Sequence, residues 1–208
     1  RGLFKKQTGG RGQFGDAVIS VSPITEAEAA EQELKMKNGV VFVDKIGGGV
    51  IPREYIPSVE AGVRATASSG VIGGYPLINV KVELVYGSYH DVDSSQVAFE
   101  QAGALAFRQA ITKAGPALLE PIMKLSVVTP DDYFGTVSGD IASRRGHIVD
   151  SELRGVVRVI TAEVPLSEMF GYTTVLRSMT AGRATSSMEP AEYRVMPDSL
   201  KDAVLAEA

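Results

Sequence analysis

The stretch "PLINVKVELVYGSYHDVDSSQVAFEQAGALAFRQA", residues 76–110, carries the clearest structural pattern in the chain. Its first part alternates apolar and polar residues, which predicts a strand with one face against a core. Those apolar residues are Ile78, Val80, Val82 and Leu84. Its second part predicts a long helix. The expected buried stripe of that helix is Val97, Ala98, Ala102, Leu105 and Ala106.

The ends of the predicted helix are marked by polar and helix-breaking residues. The side chain of Asp93 is placed to accept hydrogen bonds from the first free amides of the helix, and the side chain of Gln96 can reach back towards the start of the helix. This is a capping-box arrangement. Gly115 and Pro116 supply a stop. His90 therefore lies in the loop between strand and helix, just before the helix begins.

The composition is that of an ordinary globular protein. The chain has 208 residues, of which 44% are apolar and 22% charged, so it has room for two domains that each bury a core. No apolar run reaches the length of a bilayer, and we expect no membrane partner. The absence of cysteine excludes disulfides and thiolate metal sites and favours a reducing compartment, so we expect a cytoplasmic protein.

Charge and the first residues add two expectations. The net charge of −4 argues mildly against a protein that coats nucleic acid with its whole surface, but basic residues crowd the start of the chain. The sequence begins at Arg1 without a signal-peptide pattern, and we expect a piece of a longer polypeptide.

The rest of the first half predicts a hairpin, a strand and a helix. Residues 4–24 form two extended runs around a glycine-rich tip, and residues 39–46 form a β-branched strand. A helix then ends at Gly70, with one apolar face. That face consists of Ile56, Val59, Val63 and Ala67. The acidic segment 25–37 predicts a short solvated helix or an acidic loop, and we interpret it as an insertion because it offers little apolar face.

The second half predicts the order βαββαβ. A strand in "IMKLSVVT" ends at Thr129, which we expect to cap a helix that begins with Pro130. Two strands joined at Arg154 and Gly155 follow, then a helix in "LSEMFGYTTVLRSMTAG" and a last strand in "ATSSMEPAEYRVMP". This order fits a ferredoxin-like fold.

The loop "GSYHDVDSS", residues 87–95, holds one of the chain's two histidines and has several interpretations. A Ser-His-Asp triad is disfavoured, because neighbouring residues in a loop and a first helical turn splay apart. A metal site would need three or four converging ligands, and only His90 and His147 stand beside the carboxylates. A third interpretation is a tip that presents Tyr89 and His90 to a partner. The plain alternative is a solvated loop beside a helix cap.

Two further motifs suggest contact with phosphate groups. "GRGQFG", residues 10–15, matches G-x-G-x-x-G, but it runs into a predicted strand rather than a helix, and no Walker pattern occurs, so we expect no nucleotide site. Its glycine amides and Arg11 suit phosphates, with an ordinary hairpin end as the alternative. "SRRGH", residues 143–147, places two arginines in a turn, which is either a phosphate clamp or a solvated surface.

Longer motifs resemble a known family. In the same order along the chain, the sequence resembles the last two domains of bacterial elongation factor G, the translational GTPase that drives translocation. The motifs are "QTGGRGQFGDAVISVSP", "GGGVIPREYIPSVEAG", "GSYHDVDSSQVAFEQAGALAFRQA", "LLEPIMKLSVVTPDDYFGTVSGDIASRRGHI" and "VPLSEMFGYTTVLRSMTAGRA". The likeness covers nearly the whole chain and is weakest in "TEAEAAEQELKMK" and at the end.

The resemblance implies an α+β protein of two domains. Residues 1–119 would form a ribosomal protein S5 domain 2-like fold, and residues 120–208 a ferredoxin-like βαββαβ sandwich. The GTP-binding domain of the family has no counterpart in these residues, so GTP and magnesium would belong to the longer parent protein. This chain would carry no cofactor and would be a monomer without enzymatic activity of its own.

The resemblance also implies the partners and the site. Two loops at the far end of the first domain would enter the decoding site of the small ribosomal subunit, beside transfer RNA and messenger RNA. The matching positions are Gly9, Gly10, Arg11, Gly12, Gln13, Gly87, Ser88, Tyr89, His90 and Asp91. The second domain would contact the large subunit near its stalk base and sarcin-ricin loop. The expected contacts there are Arg144, Arg145 and Gly146.

Three departures from the family pattern leave alternatives open. Asp16 stands where the family often has a basic residue or histidine, which we expect to weaken the local positive field; the acidic segment is unusual; and "GRATSSMEP" lacks a common glycine. A divergent paralogue, specialised for ribosome recycling or a stress condition, is one alternative. A small hydrolase centred on His90 and a module that binds only proteins are the others.

Overall fold

A computed structural model describes residues 1–7, 9–10 and 12–207. Contacts divide the chain into two compact units, one of Arg1–Pro116 together with residues 203–207, and one of Ala117–Asp202. Each unit combines helices with a sheet, so the predicted α+β class is confirmed. No helix within the described ranges is long and apolar enough to cross a bilayer.

The first unit contains a five-stranded mixed sheet in the order β1-β2-β5-β4-β3. The strands are β1 Gly2–Lys6, β2 Gln13–Pro23, β3 Met36–Lys37, β4 Val40–Asp44 and β5 Val80–Ser88. Only β4 and β5 pair in parallel among them. The helices are α1 Glu26–Glu31, α2 Ile56–Ser69 and α3 Gln96–Ala114.

Helix α3 supplies the largest side chains of this core. Phe99 and Phe107 are fully buried, whereas Val97 and Leu105 of the predicted stripe are 58% and 37% exposed. The predicted stripe is therefore wrong at those two positions. The helix is rich in alanine, and turning it to bury two aromatic rings removes more apolar surface from water than burying Val97 and Leu105.

Glycines bring main chain directly against α3. A Cβ atom added at Gly15 of β2 would lie 2.5 Å from the Ala98 carbonyl oxygen. One added at Gly62 of α2 would lie 2.0 Å from the Glu100 carbonyl oxygen. No side chain fits at either position, so α3 is held between a strand and a helix by close backbone packing.

The N-cap of α3 lies two residues later than predicted. Its N-cap is Ser95, whose Oγ accepts from the amide of Ala98 at 3.1 Å. Asp93 is not the cap, because its carbonyl instead accepts from the amide of Phe14 at 2.8 Å. The predicted stop is correct, since Gly115 adopts the left-handed conformation at the C-cap with φ 70°.

The acidic segment is part of the fold rather than a solvated insertion. Thr25 and Glu28 form a capping box at the start of α1, with the Thr25 amide donating to the Glu28 carboxylate at 2.7 Å. Ala29 is buried against Ile24 and Val41. The segment therefore covers apolar surface that β4 would otherwise expose.

The second unit has a fully antiparallel sheet in the order β7-β8-β6-β9. Its elements are β6 Leu119–Pro130, α4 Phe134–Ser143, β7 His147–Arg154, β8 Val157–Pro165, α5 Tyr172–Met179 and β9 Thr185–Val195. The helices pack on one face of the sheet over a core that includes Leu125, Ile141 and Leu176. The predicted βαββαβ order and ferredoxin-like topology are confirmed.

Two local predictions in this half are wrong, and one helix was not predicted. Thr129 is buried within β6 and is not a helix cap; a 3-10 turn, Asp131–Tyr133, precedes α4. The predicted helix after β8 is shorter, because Gly171 at φ 72° separates a 3-10 turn from α5. A final helix, α6 Asp198–Glu207, was not predicted.

Candidate nucleic-acid interface

Two loops meet at one end of the first unit's sheet. The hairpin loop precedes Gln13, the first residue of β2, and the second loop follows Ser88, the last residue of β5. Since β2 and β5 are antiparallel neighbours, both loops leave the same end of the sheet. We call Gly9, Gly10, residues 12–14 and residues 87–95 the tip site.

Direct contacts join the two loops. Phe14 and Ser94 form an isolated bridge in which the Phe14 amide donates to the Asp93 carbonyl. The ring of Phe14 lies 6.4 Å from that of His90, centroid to centroid. A Cβ atom at Gly12 would lie 2.9 Å from the carboxyl carbon of Asp93. The hairpin loop and the histidine loop are therefore packed side by side.

His90 is exposed but oriented by the main chain. Its side chain is 56% exposed. Its Nδ1 accepts from the amides of Val92 and Asp93, at 3.3 Å and 3.2 Å. In the neutral ring the proton is then on Nε2, because a nitrogen that accepts hydrogen bonds carries no proton.

Ser94 is the buried connector beneath the histidine. Its hydroxyl donates to the Phe14 carbonyl at 2.9 Å and accepts from the His90 amide at 2.9 Å. Its own amide donates to the His90 carbonyl at 3.0 Å. One side chain thus closes the His90 turn and attaches it to the hairpin.

These contacts argue against the hydrolase and metal interpretations. The hydroxyls of Ser94 and Ser95 bond to main-chain groups, and within the described ranges neither bonds to the His90 ring. A triad requires the serine hydroxyl to donate to the imidazole. The described residues contain no group of three or more potential ligands placed to hold a metal ion.

Asp16, which we expect to weaken the positive field of the tip, is buried and paired in the structure. It is fully buried, accepts from Arg1 at 2.8 Å and 2.7 Å, and accepts from the Ser88 hydroxyl at 2.8 Å. Burial alone would raise the pKa of Asp16, but the hydrogen bonds from Arg1 and Ser88 outweigh burial and lower it. Its charge is compensated within the sheet, below the tip surface.

The other predicted tip residues differ in exposure. Gly9, Gly10, Gln13, Tyr89 and Asp91 are exposed. Gly87 is buried, because its α-carbon faces the carbonyl oxygen of Asp16 and the side chain of Ile51. Arg11 lies outside the described residues. The exposed set leaves aromatic, amide and main-chain groups available to a partner.

The arginine turn, residues 144–146, forms internal contacts in the second unit. Arg144 pairs with Asp140 at 2.9 Å, donates to the Glu168 carbonyl at 2.6 Å and stacks over the ring of Tyr172. Arg145 bonds to both carboxylate oxygens of Glu120, and these bonds raise the pKa of Arg145.

The arginine turn packs closely against Ile141 at Gly146. Gly146 leaves no room for a side chain, since a Cβ atom would lie 2.6 Å from Cγ2 of Ile141. The turn predicted as an RNA contact is therefore also a structural connection between α4, β6 and the segment after β8.

Sequence reasoning missed Phe14 and Ser94 as members of the site. Their contact spans 80 positions, and no local pattern encodes it. From the sequence, Lys5 and Lys6 are recognised only as part of the basic segment at the start of the chain. In the structure both are exposed on β1, where they pair with Phe14 and Gln13, so they extend the tip site with positive charge.

Comparison with known proteins identifies the family. Residues 1–115 match the family model described as elongation factor G, domain IV, and residues 117–204 match that described as elongation factor G C-terminus. A crystal structure of a protein from Thermus thermophilus is 37% identical, with a TM-score of 0.83. The likeness covers 99% of this chain and 29% of that one. The chain therefore belongs to the elongation factor G family, of which it carries domain IV and the C-terminal domain.

Proposed function

We propose that this chain is the ribosome-engaging part of an elongation factor G-like GTPase, and that its tip site enters the decoding site during translocation. The observation that carries the proposal is the tip itself. An exposed imidazole lies beside a glycine-rich loop, and hydrogen bonds from the Ser94 hydroxyl to Phe14 and from the Phe14 amide to Asp93 hold both in place.

The exposed chemistry of the tip suits RNA. Tyr89 is 44% exposed and offers a ring for stacking on a base. Lys5 and Lys6 add positive charge for phosphates, and the small residues Gly9 and Gly10 let a backbone approach closely. The proposed work is to occupy space beside transfer RNA and messenger RNA and prevent their return.

The proposal extends to the remainder of the parent protein. GTP hydrolysis and its magnesium would belong to a nucleotide-binding domain, and this chain would act as a monomeric, non-enzymatic part of a cytoplasmic factor. We propose that the second unit contacts the large subunit near the stalk base and sarcin-ricin loop. Arg145, whose side chain is 29% exposed, is the candidate contact that also supports the fold.

The test is a His90→Ala change in the full-length factor. We expect slower translocation with GTP hydrolysis preserved, because the tip would lose its ring while the nucleotide site is untouched. Lys113→Ala, in the last turn of α3 and distant from the tip, is the control and should have no effect. Unchanged translocation in His90→Ala would reject the role of the tip; slower subunit splitting with normal translocation would assign the parent to recycling.

A further inference from the structure

The ring of His90 has a fixed direction. Both amides that reach it belong to its own turn, and both approach Nδ1. The other nitrogen, Nε2, is on the opposite side of the imidazole and has no hydrogen-bond partner among the described residues. The only unused polar atom of this side chain is therefore directed away from the turn.

Among the described residues, Asp93 places a carboxylate beside this ring, with Oδ2 at 3.6 Å from Nδ1. That distance is too long for a hydrogen bond, whereas both amides lie closer. A proton on Nδ1 would also face the two amide hydrogens. The geometry therefore fits the neutral ring with Nδ1 as acceptor and Nε2–H as donor.

The position of these amides depends on Ser94. The turn from His90 to Ser94 is closed by the Ser94 amide, and the Ser94 hydroxyl holds the His90 amide from inside. The same hydroxyl fastens the turn to Phe14 on β2. Without that oxygen, the His90 amide and the Phe14 carbonyl would both lose a buried partner, and the turn would keep only its main-chain bonds.

We propose that Ser94 is a positioning residue of the tip site: it holds the His90 turn closed, so that the neutral imidazole presents Nε2–H as a hydrogen-bond donor to an acceptor atom of bound RNA. This inference rests on the proposed function for its RNA partner. The tautomer and its dependence on Ser94 are properties of the free protein.

The first test is the tautomer of the free 208-residue chain, measured by long-range nitrogen–proton NMR of its two histidines. A His147→Gln variant assigns the His90 signals. At a pH where the ring is neutral, we expect Nδ1 unprotonated and Nε2 protonated. Ser94→Ala should lower the ratio of the two tautomers about fivefold, the scale of one net hydrogen bond, and Ser94→Thr should restore it. A mixed or Nδ1-protonated ring in the unmodified chain overturns the positioning role.

The second test asks whether binding depends on the Nε2–H donor of His90 or on the imidazole ring as a whole. Glutamine places its amide nitrogen near the position of Nε2, whereas asparagine reaches only that of Nδ1. Binding of the chain to isolated small ribosomal subunits should be retained within about twofold in His90→Gln and weakened at least about fivefold in His90→Asn. Equal loss in both variants overturns the donor role. A fixed tautomer combined with unchanged binding in both rejects the proposed function and leaves the positioning role of Ser94 intact.

Discussion

The hydroxyl of Ser88 donates to the buried carboxylate of Asp16 at 2.8 Å, although the two residues are 72 positions apart. The bond joins the last residue of β5, where the tip site begins, to β2. Together with the two bonds from Arg1, it keeps a carboxylate ionised inside the sheet. The sheet next to the tip site therefore contains a buried charge that is paired with Arg1 and Ser88.

Asp16→Asn tests the contribution of this buried carboxylate to stability. We expect the free energy of unfolding at pH 7 to fall by about 2 kcal/mol, the scale of a hydrogen bond to a charged group. Because the folded pKa of Asp16 is lowered, its contribution is present above the usual carboxyl pKa of about 3.9 and is lost as the pH falls below it. Urea unfolding from pH 7 to pH 2.5 should thus show a weaker acid dependence in the variant. Parallel profiles would contradict the pairing.

Gly62→Ala tests the close packing of α3. The added Cβ would lie 2.0 Å from the Glu100 carbonyl oxygen, so the helices must move apart, at a cost of about 3 kcal/mol. Gly139→Ala in α4 is the matched control, because nothing lies within 4 Å of its Cβ position. It should stabilise the second unit by roughly 0.5–1 kcal/mol. Denaturation with hydrogen exchange assigns each change to its unit.

Arg145→Ala tests whether the arginine turn is structural. Removing this guanidinium leaves Glu120, which is 4% exposed, without its ion pair. We expect a loss of about 3 kcal/mol in unfolding free energy. Arg154→Ala removes an exposed pair with Glu152 and should change stability by less than about 0.5 kcal/mol. An Arg145→Ala protein of normal stability that binds ribosomes weakly would make this arginine an RNA contact only.

Tyr172→Phe removes a buried hydroxyl that has no hydrogen-bond partner among the described residues. We expect unfolding at pH 7 to become more costly by roughly 1 kcal/mol. Burial first, and Asp140 second, raise the pKa of Tyr172 to about 12. The contribution of the neutral phenol to the free energy of unfolding is therefore fully present below pH 10 and is lost as the pH rises towards 12.

The variant should lack this alkaline loss in urea unfolding at pH 8 and pH 11. Tyr193→Phe, at a residue that is 62% exposed, is the control and should behave as the unmodified chain. Equal alkaline sensitivity of the Tyr172→Phe and unmodified proteins would contradict the assignment.

Arg11→Gln tests the hairpin loop as a phosphate contact. Phosphate binding releases counterions, so the salt dependence of ribosome binding should flatten by about 0.7 to 0.9 in logarithmic slope. Lys113→Gln is the control, because α3 has 19 residues and places Lys113 roughly 25 Å from the tip. An unchanged slope in Arg11→Gln would favour a module that binds only proteins.

The sequence patterns predicted the strands better than the helix ends. Alternation along residues 80–84 is local and identifies β5 directly. The cap of α3 was misplaced because Asp93 and Ser95 are both suitable cap residues, and a bond from distant Phe14 decides between them. The buried face of α3 was predicted wrongly because an alanine-rich helix offers two overlapping apolar faces. Contacts with the sheet select the face that carries Phe99 and Phe107.

The tip site could be predicted as two glycine-bearing loops with an outward histidine, but its internal bonds could not. Ser94 reads as a helix-start residue in the sequence, and only the fold brings it to the Phe14 carbonyl. The arginine turn reads as a surface cluster, and its partner Glu120 is 25 positions away. Contacts of this kind depend on how strands pair, which no short pattern contains.

The glycine contacts along α3 have a mechanical consequence. Where Gly15 and Gly62 meet the helix, backbone touches backbone, and no rotatable side chain lies between them to absorb a displacement. The support that α3 gives to the loop of His90 is therefore stiff. The proposed function, an obstacle to the return of transfer RNA and messenger RNA, would need that stiffness more than it would need a reactive group.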